Sequence, residues 1–132
     1  MPDFLFNTQY SDVDKVYAFN RVMKDVSMQE KPDVILLGIP DSLLPLNNKH
    51  RFSFGLYAYE IFNAVQPDFV ITSLMANDGY NDEFYSEISK MAKYKYNVNI
   101  DAYFVSQFCP LSNSIWSEKL SYVYLPRMEL PK

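Results

Sequence analysis

The sequence predicts an α/β fold, with a three-layer, mostly parallel sheet of four to five strands and helices on both faces. Two similar segments carry this prediction. Residues 31–40 (KPDVILLGIP) and 66–74 (QPDFVITSL) each place Pro-Asp ahead of a short apolar run rich in β-branched residues. Such runs are typical of buried strands. Because a helical pattern lies between them, the order indicates parallel strands that are joined by helices.

Three helices are expected from their caps and apolar spacing. Ser11 is a good N-cap, and apolar residues at spacings of three and four then predict a helix over residues 12–28. Ser53 is expected to cap a second helix that ends before Pro67. Asn81 is expected to cap a third helix.

Four segments are predicted as strands, namely residues 33–39, 68–74, 98–105 and, as an edge strand, 120–125. Right-handed crossovers would set the first three side by side in a Rossmann-like arrangement. The length of 132 residues predicts a single domain over residues 1–132.

Composition excludes several classes of function. The net charge is −4 and no cluster of Lys and Arg occurs, so we expect no binding to nucleic acid. No apolar run is long enough to span a bilayer, so we expect no membrane partner. A single cysteine, Cys109, excludes an internal disulfide and favours a cytoplasmic location.

The aromatic content is high, with eleven Tyr and ten Phe against three Gly. So many bulky rings favour a groove or a protein interface that some of them line. Half-exposed rings scattered over the surface are an equally good explanation. The rings of Tyr94, Tyr96, Tyr103 and Phe108 would form either an aromatic surface or part of the core.

The loop after the first predicted strand is the best candidate for a ligand site. Asn47 contributes to its polar character, and the candidate ligand-binding residues are Asp41, Asn48, Lys49, His50 and Arg51. Open α/β sheets bind ligands at the carboxyl ends of their strands, and Lys and Arg hold carboxylate or phosphate groups. The alternative, which we favour, is a solvated loop whose side chains cap its own backbone.

Two nucleophiles are weaker candidates. Asp41-Ser42-Leu43-Leu44 resembles the first block of GDSL-type esterases, in which a serine after the first strand is the nucleophile. Those enzymes take their base from a histidine late in the chain, whereas the only histidine here is His50. Ser42 is therefore expected to be a turn residue. Cys109 has no basic neighbour in the sequence and is expected to be a packed thiol.

Metal and cofactor sites have little support. Asp41, Asp78 and Asp82 follow predicted strand ends and would suit Mg²⁺, but turn and cap roles explain Asp78 and Asp82 better. Neither the P-loop motif Gly-x-x-x-x-Gly-Lys-Ser/Thr nor the dinucleotide-binding motif Gly-x-Gly-x-x-Gly occurs in the sequence. We expect no catalytic residues, no metal and no cofactor.

One stretch resembles a known family. The matching segments are PDVILLGIP (residues 32–40), PLNN (45–48), FGLYAYEI (54–61), NAV (63–65) and PD (67–68). They are similar to peptide maturation system proteins, which are encoded beside radical-SAM enzymes and bacteriocin-like precursor peptides. The resemblance covers residues 32–74 and implies the C-terminal domain of a longer protein. The family is named from its gene neighbourhood, so no catalytic residue carries over.

Two functions from different classes follow. The first is a non-catalytic accessory domain that binds a precursor peptide, a modifying enzyme or its own copy as a homodimer. The aromatic excess and the lack of a complete catalytic set favour it. The alternative is part of a nucleotide- or anion-handling enzyme whose site lies in the loop at the carboxyl ends of the strands.

Overall fold

The computed structural model of the protein describes residues 7, 9–40, 42–51 and 54–126. Helices and strands follow one another along this part of the chain. Their order is α1 (Asp12–Gln29), α2 (Leu56–Ala64), β1 (Ile71–Leu74), α3 (Asp82–Met91), a π-helical turn (Ala92–Tyr96), β2 (Ala102–Val105), β3 (Phe108–Pro110) and β4 (Tyr122–Tyr124).

The four strands form two separate sheets of two strands each. β1 and β2 are parallel, with Ile71 opposite Ala102. β3 and β4 are antiparallel, with Phe108 opposite Tyr124. The predicted three-layer, mostly parallel sheet of four to five strands with helices on both faces is therefore wrong. The last predicted strand pairs with β3 and does not extend the parallel sheet.

Residues 33–39 were expected to form the first strand, and they do not. Within the described part of the chain, the main chain of residues 32–40 makes no hydrogen bond. Burial still alternates, because Leu37 packs against the helices while Leu36 is 91% exposed. The apolar pattern thus reports which side chains face the core. It carries no information on whether a neighbouring strand supplies hydrogen bonds, and a strand requires both.

α1 and α3 begin where their caps predict. The Ser11 hydroxyl accepts a hydrogen bond from the Asp14 N–H at 3.2 Å. The Asn81 side-chain oxygen accepts one from the Phe84 N–H at 2.9 Å. Each cap satisfies an N–H group that has no partner inside the helix, so the local sequence alone fixes both helix starts.

α2 begins at Leu56, and its N-cap is Gly55. The expected cap, Ser53, lies outside the described residues. Gly55 has a φ of 76°, and a Cβ atom there would stand 2.7 Å from the carbonyl oxygen of Leu43 and would collide with the hydroxyl of Tyr96. Only glycine therefore allows the loop and the π-helical turn to approach the start of α2 so closely.

The core lies between the helices and one side of the chain segments that carry β1 and β2. Its buried residues form two clusters, Phe19, Ile61 and Ala64 in the first and Ala58, Ala92, Tyr96 and Val98 in the second. Ile39 packs against both clusters, while Val70 and Ile100 pack against the second. Residues 33–39 thus contact the same core as the segments that carry β1 and β2.

Candidate functional site

The predicted ligand loop is a tight turn organised by Asn47. The Asn47 side-chain oxygen accepts hydrogen bonds from the N–H groups of Lys49 and His50 at 2.8 and 2.9 Å. Its amide nitrogen donates to the Ile115 carbonyl at 2.8 Å. Asn47 therefore shapes the turn and also ties it to the loop between β3 and β4. Asn47 is one of the polar residues that the sequence places in the candidate loop, whereas its contact with Ile115 is visible only in the structure.

The structure brings Asn48, Lys49, His50 and Arg51 together in this turn. Lys49 Nζ donates to the Trp116 carbonyl at 2.7 Å, and Arg51 Nε donates to the Asn48 carbonyl at 3.1 Å. Both cations thus bond to main-chain oxygens, as expected of a loop that caps its own backbone. The Nε2 atom of His50 is buried and has no hydrogen-bond partner among the described residues.

The fifth residue predicted for this site, Asp41, lies outside the described residues. The ligand site as a whole therefore stays a prediction. The hydrogen bonds from Asn47 and Lys49 explain the polarity of the loop through its attachment to residues 115–116.

The other residues considered for catalysis or metal binding have turn, helix-end or packing roles in the structure. The Ser42 hydroxyl donates to the Leu44 carbonyl in its own turn. Asp82 lies in the first turn of α3, where it complements the helix dipole. Cys109 is half-buried, with its thiol 3.7 Å from the Pro110 carbonyl. Among the described residues, no group of three His, Cys, Asp or Glu side chains is placed to hold a metal ion.

In the described part of the chain, one side of the parallel sheet carries exposed apolar side chains. Thr72 is buried, and the Tyr103 hydroxyl lies 2.8 Å from Ser89 of α3, so these two side chains face the helices. Neighbouring residues along a strand point to the opposite side. By this alternation Phe69, Ile71 and Phe104, each 59–61% exposed, lie on that side, and Val34 and Leu36, 80% and 91% exposed, lie beside core-facing Leu37 in the segment 32–40 and point away from the core. We call these five residues the open sheet face.

The predicted aromatic cluster divides between core and surface. Tyr96 is buried, whereas Tyr94 is 87% exposed. Tyr103 belongs to a ring cluster next to α3, in which its centroid lies 4.8 Å from that of Tyr85. Phe108 of β3 is half exposed and packs edge-on against Tyr124 of β4. The aromatic excess is thus spread over the core, the α3 side and the β3–β4 surface.

A buried ion pair joins α1 and α2. Lys15 Nζ lies 3.4 Å from Oε1 of Glu60, whose side chain is 1% exposed, and 3.4 Å from Oδ1 of Asp12. The other oxygen of Glu60, Oε2, is buried without a hydrogen-bond partner among the described residues. Burial raises the pKa of the Glu60 carboxyl, and the charge of Lys15 offsets only part of this rise. The pair is therefore poorly satisfied.

Sequence reasoning missed this pair. Burial lowers the pKa of the Lys15 ammonium, but the charges of Glu60 and Asp12 outweigh that effect, so the net shift is upward. The one available signal was a glutamate in the otherwise apolar α2 segment, LYAYEIFNA. The lysine lies on another helix, so no local pattern connects the two residues.

Comparisons with protein-family models, with curated proteins and with solved structures found no match. The resemblance to peptide maturation system proteins therefore stays a prediction. Within the described residues, the helices are all too short or too polar to cross a membrane.

Proposed function

We propose that this protein is a non-catalytic accessory domain that binds a peptide or protein partner in a cytoplasmic ribosomal-peptide maturation system. The observation that supports this function is the open sheet face. The resemblance of residues 32–74 supplies the biological setting, and the face supplies the physical reason for binding.

Parallel sheets are found almost entirely in proteins that cover both of their faces. β1 and β2 form a parallel pair, and the helices lie on only one side of it in the described part of the chain. Leaving Phe69, Ile71 and Phe104 in water forgoes the stabilisation that burial gives to large apolar side chains. A partner that covers this side would complete the missing layer.

The main chain of residues 32–40 gives an extended partner a second means of attachment. Its N–H and C=O groups make no hydrogen bonds to other described residues, and it lies beside the apolar side chains of Val34 and Leu36. An extended peptide that aligns with such a segment gains main-chain hydrogen bonds, while alternate side chains supply specificity. A short precursor peptide has the form that this mode of binding requires.

The test is a binding titration with the short peptides encoded beside the gene, each labelled with fluorescein and followed by fluorescence anisotropy. We expect saturable binding that Ile71→Lys abolishes, because the substitution places a charge in the middle of the apolar contact. Tyr17→Lys, at a 72% exposed position on α1, is the matched control and should bind as the wild type does. A wild-type protein that binds no neighbouring peptide, no neighbouring enzyme and no copy of itself would overturn the proposal.

A further inference from the structure

The composition of the open sheet face indicates what covers it. Its five large side chains are all apolar, and the residues between them on the same side include the small Ser73 and Ala102. The exposed aspartates Asp33, Asp68 and Asp101 lie where each segment begins, at the margin of the face. An uncharged centre with a polar margin is the usual anatomy of a protein interface.

The exposed apolar area of the open sheet face is large enough for the centre of a dimer interface. Large side chains offer roughly 150–250 Å² each when aromatic, so the five together leave on the order of 600 Å² bare at their observed exposure. A stable interface of standard size buries about 800 Å² per partner, of which the centre is the apolar part. The face and its margin therefore supply the area that one side of such an interface needs.

The same surface is also able to pack against itself. A two-fold axis brings one patch against an identical patch, so any charge in its centre would meet a like charge. The residues on this side of the paired strands, Ile71, Ser73, Ala102 and Phe104, are all uncharged. Large rings such as Phe69 and Phe104 stand beside the small Ser73 and Ala102, and this alternation lets two sheets interdigitate at about 10 Å, as in sandwich folds.

We propose that a second copy of this chain packs its open sheet face against the first, so that two parallel sheets form one sandwich with helices on both outer sides. This inference rests on the proposed function, because it names the partner that the face binds.

The test is the molar mass in solution across a range of protein concentrations, measured by size-exclusion chromatography with light scattering. The wild type should approach twice 15.5 kDa. Leu36→Lys should raise the dimer dissociation constant by about 100-fold or more, because each dimer would bury two unpaired ammonium groups. Leu36 is 91% exposed in one chain, so this change does not disturb folding, and Ile71→Lys is the second variant.

Tyr17→Lys is again the matched control and should dimerise as the wild type does. A wild-type monomer at every concentration would overturn the second-copy proposal. A dimer that survives both Leu36→Lys and Ile71→Lys would also overturn it. If the monomer still captures a neighbour-encoded peptide and Leu36→Lys prevents this, the proposed function stands while the dimer is wrong. A monomer that captures nothing would overturn both.

Discussion

Replacing Lys15 by methionine tests the buried ion pair. Glu60 is 1% exposed, Lys15 at 3.4 Å is the only cation paired with it among the described residues, and Oε2 already lacks a hydrogen-bond partner there. Without Lys15 the carboxylate must stay charged and uncompensated or bind a proton. Breaking a buried pair in this way costs about 3–5 kcal/mol. We expect Lys15→Met to lower the free energy of unfolding by about 3 kcal/mol, at the low end of this range. The 3.4 Å contact is longer than a strong charge-assisted hydrogen bond of about 2.8 Å.

The assay is urea unfolding followed by circular dichroism at pH 7. Lys90→Met is the matched control, because Lys90 and Glu87 are 60% and 67% exposed although their contact is shorter, at 3.0 Å. It should lower the free energy of unfolding by no more than about 0.5 kcal/mol. The double variant Lys15→Met/Glu60→Leu should recover most of the loss, because replacing both partners leaves no buried charge. A Lys15→Met variant as stable as the control would refute the reasoning.

Three further predictions concern the same residues and the loop. Burial raises the pKa of Glu60 in the folded state, so the folded protein binds a proton more readily than the unfolded chain does. The free energy of unfolding, relative to that of Glu60→Gln, should therefore fall as the pH rises above about 4.5. Urea titrations of both proteins at several pH values would measure this. Gly55→Ala should lower the free energy of unfolding by about 2 kcal/mol, because φ is 76° and the Leu43 carbonyl lies 2.7 Å from the new Cβ; an unchanged thermal midpoint would contradict this. Lys49→Met should lower the fluorescence anisotropy of Trp116, the only tryptophan, by removing the 2.7 Å hydrogen bond to its carbonyl; an unaltered signal would show that the contact does not restrain the loop.

Local sequence rules predicted the helices well because each rule acts within a few residues. Ser11 and Asn81 satisfy N–H groups three positions further along the chain, so their effect is visible in a short window. The cap of α2 was different. Gly55 is required by the approach of Leu43 and Tyr96, and the latter lies far along the chain. A short window contains no trace of such a contact.

The predicted sheet failed because apolar alternation and strand pairing are separate properties. Leu37 and Ile39 do face the core, as the pattern requires, yet the main chain of residues 32–40 has no hydrogen-bond partner within the described residues. The predicted three-layer fold also requires both sides of these apolar runs to be buried. In the structure Leu36 and Ile71 lie on a bare side, so the same apolar composition here indicates a surface and not a core.

The candidate ligand loop shows a similar limit. The sequence placed Lys49 and Arg51 in one polar loop, and the structure does bring them together. The bond from Lys49 to the Trp116 carbonyl depends on the fold of a distant loop. The bond from Arg51 to the Asn48 carbonyl depends on a local turn. Residue type alone does not separate a cation that binds a ligand from one that holds a loop.

The central claim is that the side of the sheet that carries Ile71 is a contact surface. Methyl NMR of isoleucine-labelled protein at a series of dilutions tests it directly, because Ile71 lies on that side while Ile61 and Ile88 are buried in the core. We expect the Ile71 methyl resonance to shift with concentration while those of Ile61 and Ile88 stay in place. An Ile71 resonance that does not move on dilution, or on addition of any neighbour-encoded peptide, would contradict the claim.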